Sequence, residues 1–352
     1  MSKHIHNPKN NAEITGFIRL YAAKYVIKRS WFFFVILVSC VSNNSTMKNN
    51  PLLCDPETGV CEIPTTRIST DSLPVPEKPE VARIIYFTDP ICSSCWGIEP
   101  QLKKLKLEYG SSFKTEYRMG GLLPNWDIYN SGGISKPADV AHHWDEVSLY
   151  YQMPIDGDVW LEDPLSSSYP PSIAFKAAQM QDSDKAVVFL RYLREDLFLK
   201  KRNITRWEHV EAAARKAGLD TELLKKNYEN EAPGLFEQDL VLARQMGVRG
   251  FPTIFFADSD NNYQLVYGVR PYEEYEKALI KAQPGAIKQA YTTSWQYLFE
   301  HFPSLTAKEF AVLMNISPAQ AEKQLDELYK QSKLSKITSK NGHLWASLRT
   351  SR

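Results

Sequence analysis

The sequence predicts an α/β core, and three observations predict it. Residues 81–88, Val-Ala-Arg-Ile-Ile-Tyr-Phe-Thr, form a short β-branched and aromatic run of the kind a buried strand carries. The turn Asp89-Pro90-Ile91 follows, then Cys92-Ser93-Ser94-Cys95-Trp96 and a stretch in which Ile98, Leu102, Leu105 and Tyr109 recur at helical spacing. Far downstream, Gly250-Phe251-Pro252-Thr253 opens another apolar run; Pro cannot donate to a central ladder, so a special turn with a cis bond is expected there.

Composition narrows the classes. A chain of 352 residues is long enough for about two domains. Its 42 Lys+Arg against 41 Asp+Glu leave a net charge of +1, so no global field draws it to nucleic acid or to a charged membrane. A 43% hydrophobic and 24% charged make-up is that of a globular protein rather than a disordered or polytopic membrane one. The 5 cysteines, Cys40, Cys54, Cys61, Cys92 and Cys95, are too few for a disulfide scaffold and point to reactivity or metal binding.

The first 80 residues read as tail and linker. In residues 1–46, basic positions precede a short apolar run ending Leu37-Val38-Ser39-Cys40. Its length suits a signal-peptide core better than a bilayer span, which needs about 20 residues, so no transmembrane helix is expected. The reading adopted is that Met47 is the true start and 1–46 an upstream over-extension, giving a cytoplasmic protein. The alternative is a lipobox-like signal with Cys40 lipidated and the protein anchored in the envelope. Cys54 and Cys61 flank Asp-Pro-Glu-Thr-Gly-Val, a turn-rich loop. They read as regulatory thiols able to close a hairpin disulfide, as half of a metal site, or as two exposed thiols on a tail; the spacing does not match a zinc knuckle, and no metal is assigned. Residues 62–80, rich in Pro, are a linker.

The strand at 81–88, the C-x-x-C at a helix N-terminus and a second alternating strand at 113–119 place two thiols where unpaired helix N–H groups favour a thiolate. Cys92, preceding the first turn, is expected to be exposed, ionised and attacking; Cys95, one turn on, to resolve. Two intervening serines add no charge, so an intermediate redox potential is expected. No second Cys pair completes a zinc site downstream.

These motifs resemble the thioredoxin-fold DsbA family, including its FrnE-like dithiol-disulfide isomerase members. Asp89-Pro90-Ile91-Cys92-Ser93-Ser94-Cys95-Trp96 matches its active-site pattern and Gly250-Phe251-Pro252-Thr253 its cis-proline loop. The resemblance implies that this loop lies against the reactive sulfur, with Phe251, Pro252 and Trp96 binding an extended protein substrate and the Cys92–Cys95 pair acting without another cofactor. Cys95-Trp96-Gly97-Ile98-Glu99-Pro100, followed by a Lys/Leu-rich helix, is similar to the Spx-adaptor branch of YjbH/SpxH type. That branch implies a partner role: delivery of a transcription regulator to the AAA+ protease ClpXP.

Between the two loops, helical patterns at 172–181, 184–200, 207–217 and 235–246 predict an insertion at about 125–245. Ala186, Phe189, Leu190, Leu193 and Leu197 draw its plainest stripe. His142 and His143 are adjacent, so on a helix they diverge and make poor co-ligands. A helix at 272–281 completes the core. Beyond residue 290, helices at 306–314 and 318–334 and a hairpin at 334–348 have a winged-helix-like order. From Lys330 onward there are 6 Lys/Arg and no acids, yet the neutral whole favours protein docking over nucleic acid. The expected organisation is a tail at 1–80, a thioredoxin-like DsbA-type domain with helical insertion at 81–290, and a small winged-helix-like extension at 291–352. The expected function is thiol-disulfide exchange on protein substrates, with a ClpXP adaptor as the alternative.

Overall fold

In a computed structural model the chain is described over residues 54–55, 60–62, 81–128 and 135–348. Residues 1–46 with Cys40, the start at Met47 and the linker expected at 62–80, apart from Glu62, which belongs to a strand, lie outside the described residues. Two short strands come first, β1 (Cys54–Asp55) and β2 (Val60–Glu62). The β-branched run forms β3 (Ala82–Thr88), and the C-x-x-C opens helix α1 (Ser93–Gly97). Helix α2 (Glu99–Tyr109) leads into β4 (Phe113–Met119), which lies parallel to β3 in register Ala82 to Phe113 through Thr88 to Met119. Parallel neighbours need a crossover, and α1 with α2 supplies it. The sequence stripe predicts one helix here, but two are found. Pro100 carries no N–H to continue the ladder of α1, so the chain breaks at Ile98 and restarts with Pro in its first turn.

The insertion is helical throughout its described part: α3 (Ala138–Tyr151), α4 (Val159–Glu162), α5 (Tyr169–Gln179), α6 (Ser183–Lys200), α7 (Trp207–Lys216), α8 (Thr221–Glu229) and α9 (Ala232–Gln245). Helix α8, which the sequence reading passed over, is N-capped by Asp220 accepting from the N–H groups of Glu222 and Leu223. The chain then returns through β5 (Gly250–Phe251), β6 (Thr253–Ala257) and β7 (Tyr263–Tyr267), and α10 (Tyr272–Ala282) packs across β6 and β7. The main sheet runs β4-β3-β6-β7, with β6 antiparallel to both neighbours. Its central strands are buried on both faces, which is why β3 and β6 read as nearly continuous apolar runs.

The extension comprises α11 (Trp295–His301), β8 (Ser304–Thr306), α12 (Ala307–Met314), α13 (Pro318–Lys330), β9 (Leu334–Ser339) and β10 (Gly342–Ser347). The expected helix–helix–hairpin order is present, with α11 and β8 added; β10 sits between β8 and β9. Leu298, Phe310, Leu313, Leu325 and Trp345 form a separate apolar cluster there. The basic stretch is partly neutralised from within. Lys336 pairs with Asp326 at 2.7 Å, and Lys340 bridges Asp145 and Asp158 of the main body at 2.5 and 2.8 Å.

A buried ionic clasp joins this extension to the rest. Arg191 of α6 grips Glu309 of α12 with two parallel bonds, Nη1 to Oε1 at 2.8 Å and Nη2 to Oε2 at 3.0 Å. Its Nε donates to Glu195 at 3.0 Å, and Lys103 of α2 adds a second cation on Glu309 at 2.8 Å. The same carboxylate accepts the Thr306 N–H, closing a capping box. Burial alone would raise the Glu309 carboxyl, but Arg191 and Lys103 outweigh it and hold it down at about 2.

Replacing Glu309 by Gln therefore leaves two cations short of their partner inside the protein and should cost about 3–5 kcal/mol at neutral pH, read by urea denaturation. A carboxylate with a depressed folded pKa stabilises above its ordinary value near 4.5 and loses that contribution as the pH falls through about 2. The gap between wild type and Glu309→Gln should accordingly narrow across that interval, and equal stability at neutral pH would remove the clasp from the account.

Candidate dithiol site and its cis-proline loop

β3 carries the chain into the site, and Asp89 folds the turn that follows. Its carboxylate accepts from the N–H of Ile91 at 3.0 Å and of Leu122 at 2.8 Å, and from the Ser168 hydroxyl at 2.9 Å. Burial pushes this carboxyl up to about 6 despite the three donors. The Asp89 carbonyl accepts the N–H of Cys92, which adopts an extended conformation and caps α1: its Sγ accepts the Cys95 N–H at 3.1 Å. Both cysteines are buried.

The expectation of an exposed, readily ionised Cys92 is corrected. Both sulfurs are buried, Cys92 to 0% exposure. Burial pushes the Cys92 thiol well up, outweighing the Cys95 N–H and the nearby Arg194 charge. Burial acts on Cys95 as well, but the Cys92 thiol, Arg194, and the Thr88 and Tyr86 hydroxyls outweigh it, and Cys95 is lowered. Negative charge on the pair thus settles on the inner sulfur, because the inner sulfur is where the donors and the cation are.

That cation is the residue the sequence reading missed. Arg194 of α6, 1% exposed, donates to Thr88 Oγ1 at 2.6 Å, to the Asp89 carbonyl at 3.2 Å and to Glu99 Oε1 at 2.9 Å. It ties the end of β3 to the start of α2 from beneath the thiols. The only signal in the sequence is a charged residue among the apolar positions of a helix buried almost all round.

Trp96 lies inside the protein rather than on a binding surface. Its indole N–H donates to the Pro154 carbonyl at 3.2 Å, its ring packs on Phe198 and the Arg191 guanidinium sits 4.2 Å from the ring centroid. Ser94 shares a 2.8 Å bond with the Tyr151 hydroxyl. The Phe251–Pro252 peptide bond, just before the strand that pairs with β3 from Thr253 opposite Phe87, is cis. The Pro252 carbonyl accepts from Gly268 N–H at 2.9 Å, and Thr253 Oγ1 donates to the Gly250 carbonyl at 2.6 Å. Phe251 is fully buried over Gly120, where an added Cβ would lie 1.8 Å from the ring.

Of Cys54 and Cys61, the latter meets this loop through its backbone. They are direct partners in the β1–β2 pair, and Cys61 is also the partner of Phe251 in an antiparallel β2–β5 pair. Among the described residues, no group of three or more His, Cys, Asp or Glu could hold a metal ion, and no helix is long and apolar enough to cross a membrane. His142 is exposed beside Glu146, away from the thiols. A cleft of about 990 Å³ is lined in part by Tyr86, Glu99, Lys103, Arg191 and Arg194.

Two substitutions test this arrangement. Gly120→Ala should force the Phe251 ring aside and cost about 1–3 kcal/mol, seen as a lower Tm by calorimetry; an unchanged Tm would mean the ring is not seated there. Arg194→Met should destabilise by about 3–5 kcal/mol and raise the Cys95 pKa, followed by thiolate absorbance against pH, with Arg194→Lys restoring part of the pKa because charge is kept. A Cys95 titration that ignores both changes would remove Arg194 from the site.

Known proteins share this architecture. A thioredoxin family model matches residues 86–277. The ClpXP adapter protein SpxH of Halalkalibacterium halodurans is 35% identical over 301 residues, covering 84% of this chain and 97% of its own. The protein of that name from Bacillus subtilis is 31% identical over 280 residues, with 78% and 91% covered. Among solved structures, a putative protein disulfide isomerase from Nitrosomonas europaea superposes with a TM-score of 0.50 at 20% identity, over 57% of this chain and 97% of that one, a likeness of fold. The chain belongs to the DsbA-like thioredoxin-fold proteins, in the SpxH branch.

Proposed function

We propose that this protein is an adaptor that presents a partner protein to the ClpXP protease, the partner being a transcription regulator as the resemblance to its branch implies. The observation that carries the reading is the reach of the similarity. An alignment of 301 residues cannot be contained in the 86–277 thioredoxin segment, so what is shared with the SpxH relative includes chain that the disulfide-exchange fold does not need. The extension held on by Arg191, Lys103 and Glu309 gives such a protein a second surface rigidly placed beside the first. A buried Cys92 supports the same reading, because exchange with outside proteins requires a sulfur they can reach. The cytoplasmic placement expected from the sequence goes with it.

Thiol-disulfide exchange is the second reading, favoured by a specific set of features: a helix-capping Cys92, a lowered Cys95 with the buried Arg194 charge near it, and a cis Phe251–Pro252 bond at the start of the strand next to β3. In that reading Cys92 attacks, Cys95 resolves, Phe251 and Pro252 hold an extended protein substrate, and the pair itself is the redox group with no added cofactor.

Reconstitution separates the two. With purified ClpXP and a regulator of the Spx type, the full-length protein should accelerate loss of the regulator, and the Cys92→Ser/Cys95→Ser double variant should accelerate it equally. If wild type gives no acceleration but reduces insulin in a Cys92-dependent manner, the adaptor reading gives way to the enzyme.

A further inference from the structure

The hairpin of β1 and β2 pairs with the strand that leads into the cis Phe251–Pro252 bond and lies beside the helix that carries the dithiol. β5 is a two-residue strand outside the main sheet, and a strand without ladder partners offers its N–H and C=O groups to an extended segment. Here β2 takes them, with Cys61 opposite Phe251 and Glu62 opposite Gly250. β2 also comes within 8 Å, Cα to Cα, of α1, the helix that Cys92 caps. β1 then doubles back so that Cys54 stands opposite Cys61. Directly opposed residues of an antiparallel pair have Cα atoms about 4.5–5.5 Å apart, inside the span of roughly 4.4–6.8 Å that a disulfide bridges. The register thus sets Cys54 and Cys61 opposite one another on a strand pair whose inner strand lies beside the helix that Cys92 caps and that contains Cys95.

We propose that the β1–β2 hairpin is a built-in substrate of the Cys92–Cys95 pair, a strand-bound Cys54–Cys61 couple that exchanges its disulfide with the dithiol. The proposal rests on reading Cys92 and Cys95 as an exchanging pair. A low-molecular-weight disulfide first oxidises Cys54 and Cys61 to the hairpin disulfide and is itself reduced to two thiols. Cys92 gives up its proton and attacks the Cys61 sulfur, the one on the strand paired with β5. The Cys92–Cys61 bond forms, the Cys54–Cys61 bond breaks, and Cys54 leaves as a thiolate that takes up a proton. Cys95 as thiolate then attacks the Cys92 sulfur, forming Cys92–Cys95 and releasing Cys61, which is protonated in turn. Two electrons pass from the helix pair to the hairpin pair. The lowered Cys95 suits the second step, since resolution needs its thiolate. With the hairpin seated, Cys92 is buried, so an outside protein thiol competes with an internal one for the same sulfur.

The test uses the full-length protein with Cys40→Ala throughout. In Cys54→Ala/Cys95→Ala, dilute protein treated with glutathione disulfide and digested without reduction should yield the Cys61–Cys92 linked peptide. It should exceed Cys92 bearing glutathione by roughly tenfold or more, because a tethered thiol acts at millimolar effective concentration. The companion Cys61→Ala/Cys95→Ala should give far less Cys54–Cys92 link. Cys92 carrying glutathione with no internal link overturns the hairpin proposal and leaves the pair reactive. Cys92 carrying nothing, while the hairpin thiol is glutathionylated, overturns the exchanging pair as well. A second arm alters no cysteine: Val60→Pro removes an N–H from the β1–β2 ladder and should speed iodoacetamide alkylation of Cys92 by roughly tenfold, the effect of about 1.4 kcal/mol of lost local closure. Equal rates in wild type and Val60→Pro overturn the proposal.

Discussion

A helix that carries two arginines into a protein interior sets the terms for everything packed around it. Burying a guanidinium costs several kcal/mol unless carboxylates and carbonyls receive its donors. Arg191 and Arg194 stand one turn apart on α6, so their heads can reach different neighbours while sharing Glu99. Arg194 finds Thr88, the Asp89 carbonyl and Glu99, and in doing so fixes where β3 ends and where the thiols begin. Arg191 finds Glu195 and Glu309, and in doing so fixes where the extension sits. The dithiol and the extension are therefore held by neighbouring positions of one helix.

This constraint explains a division of labour within the C-x-x-C. The helix N-terminus favours a thiolate at Cys92, but that effect is worth at most a few kcal/mol and is opposed by complete burial. Cys95 is equally buried, yet it faces hydroxyls and a fixed cation, which is enough to reverse the sign. The hairpin strand beside α1 belongs to the same picture, since it lies next to the helix that Cys92 caps. A protein that holds another for proteolysis has no need of an open sulfur, and a redox pair that answers to its own tail has no need of one either.

Much of the architecture was legible in the residues. β4 at 113–119 alternates apolar and charged residues in sequence, and the strand appears with those bounds, although its burial does not follow the alternation. The stripe on α6 and the break at Asn315-Ile316-Ser317 between α12 and α13 were readable because side-chain period and capping residues are local properties. The break between α1 and α2 at Ile98 was missed although Pro100 announces it, since a proline in a first turn is compatible with either a new helix or a kink. Helix α8 was missed because its short amphipathic pattern carries few apolar residues.

The sequence by itself determined the unit that brings two cysteines to a helix N-terminus, the proline that opens β6, and the helical filling between them, because spacing, periodicity and the missing N–H of proline act within a few residues. Only the tertiary structure decided that Cys92 is enclosed, that Arg194 lies beneath the pair, that Glu309 meets Arg191, and that Cys61 lies beside Phe251. Burial, charge pairing and strand register depend on groups far apart along the chain, and no local pattern encodes which of them will meet.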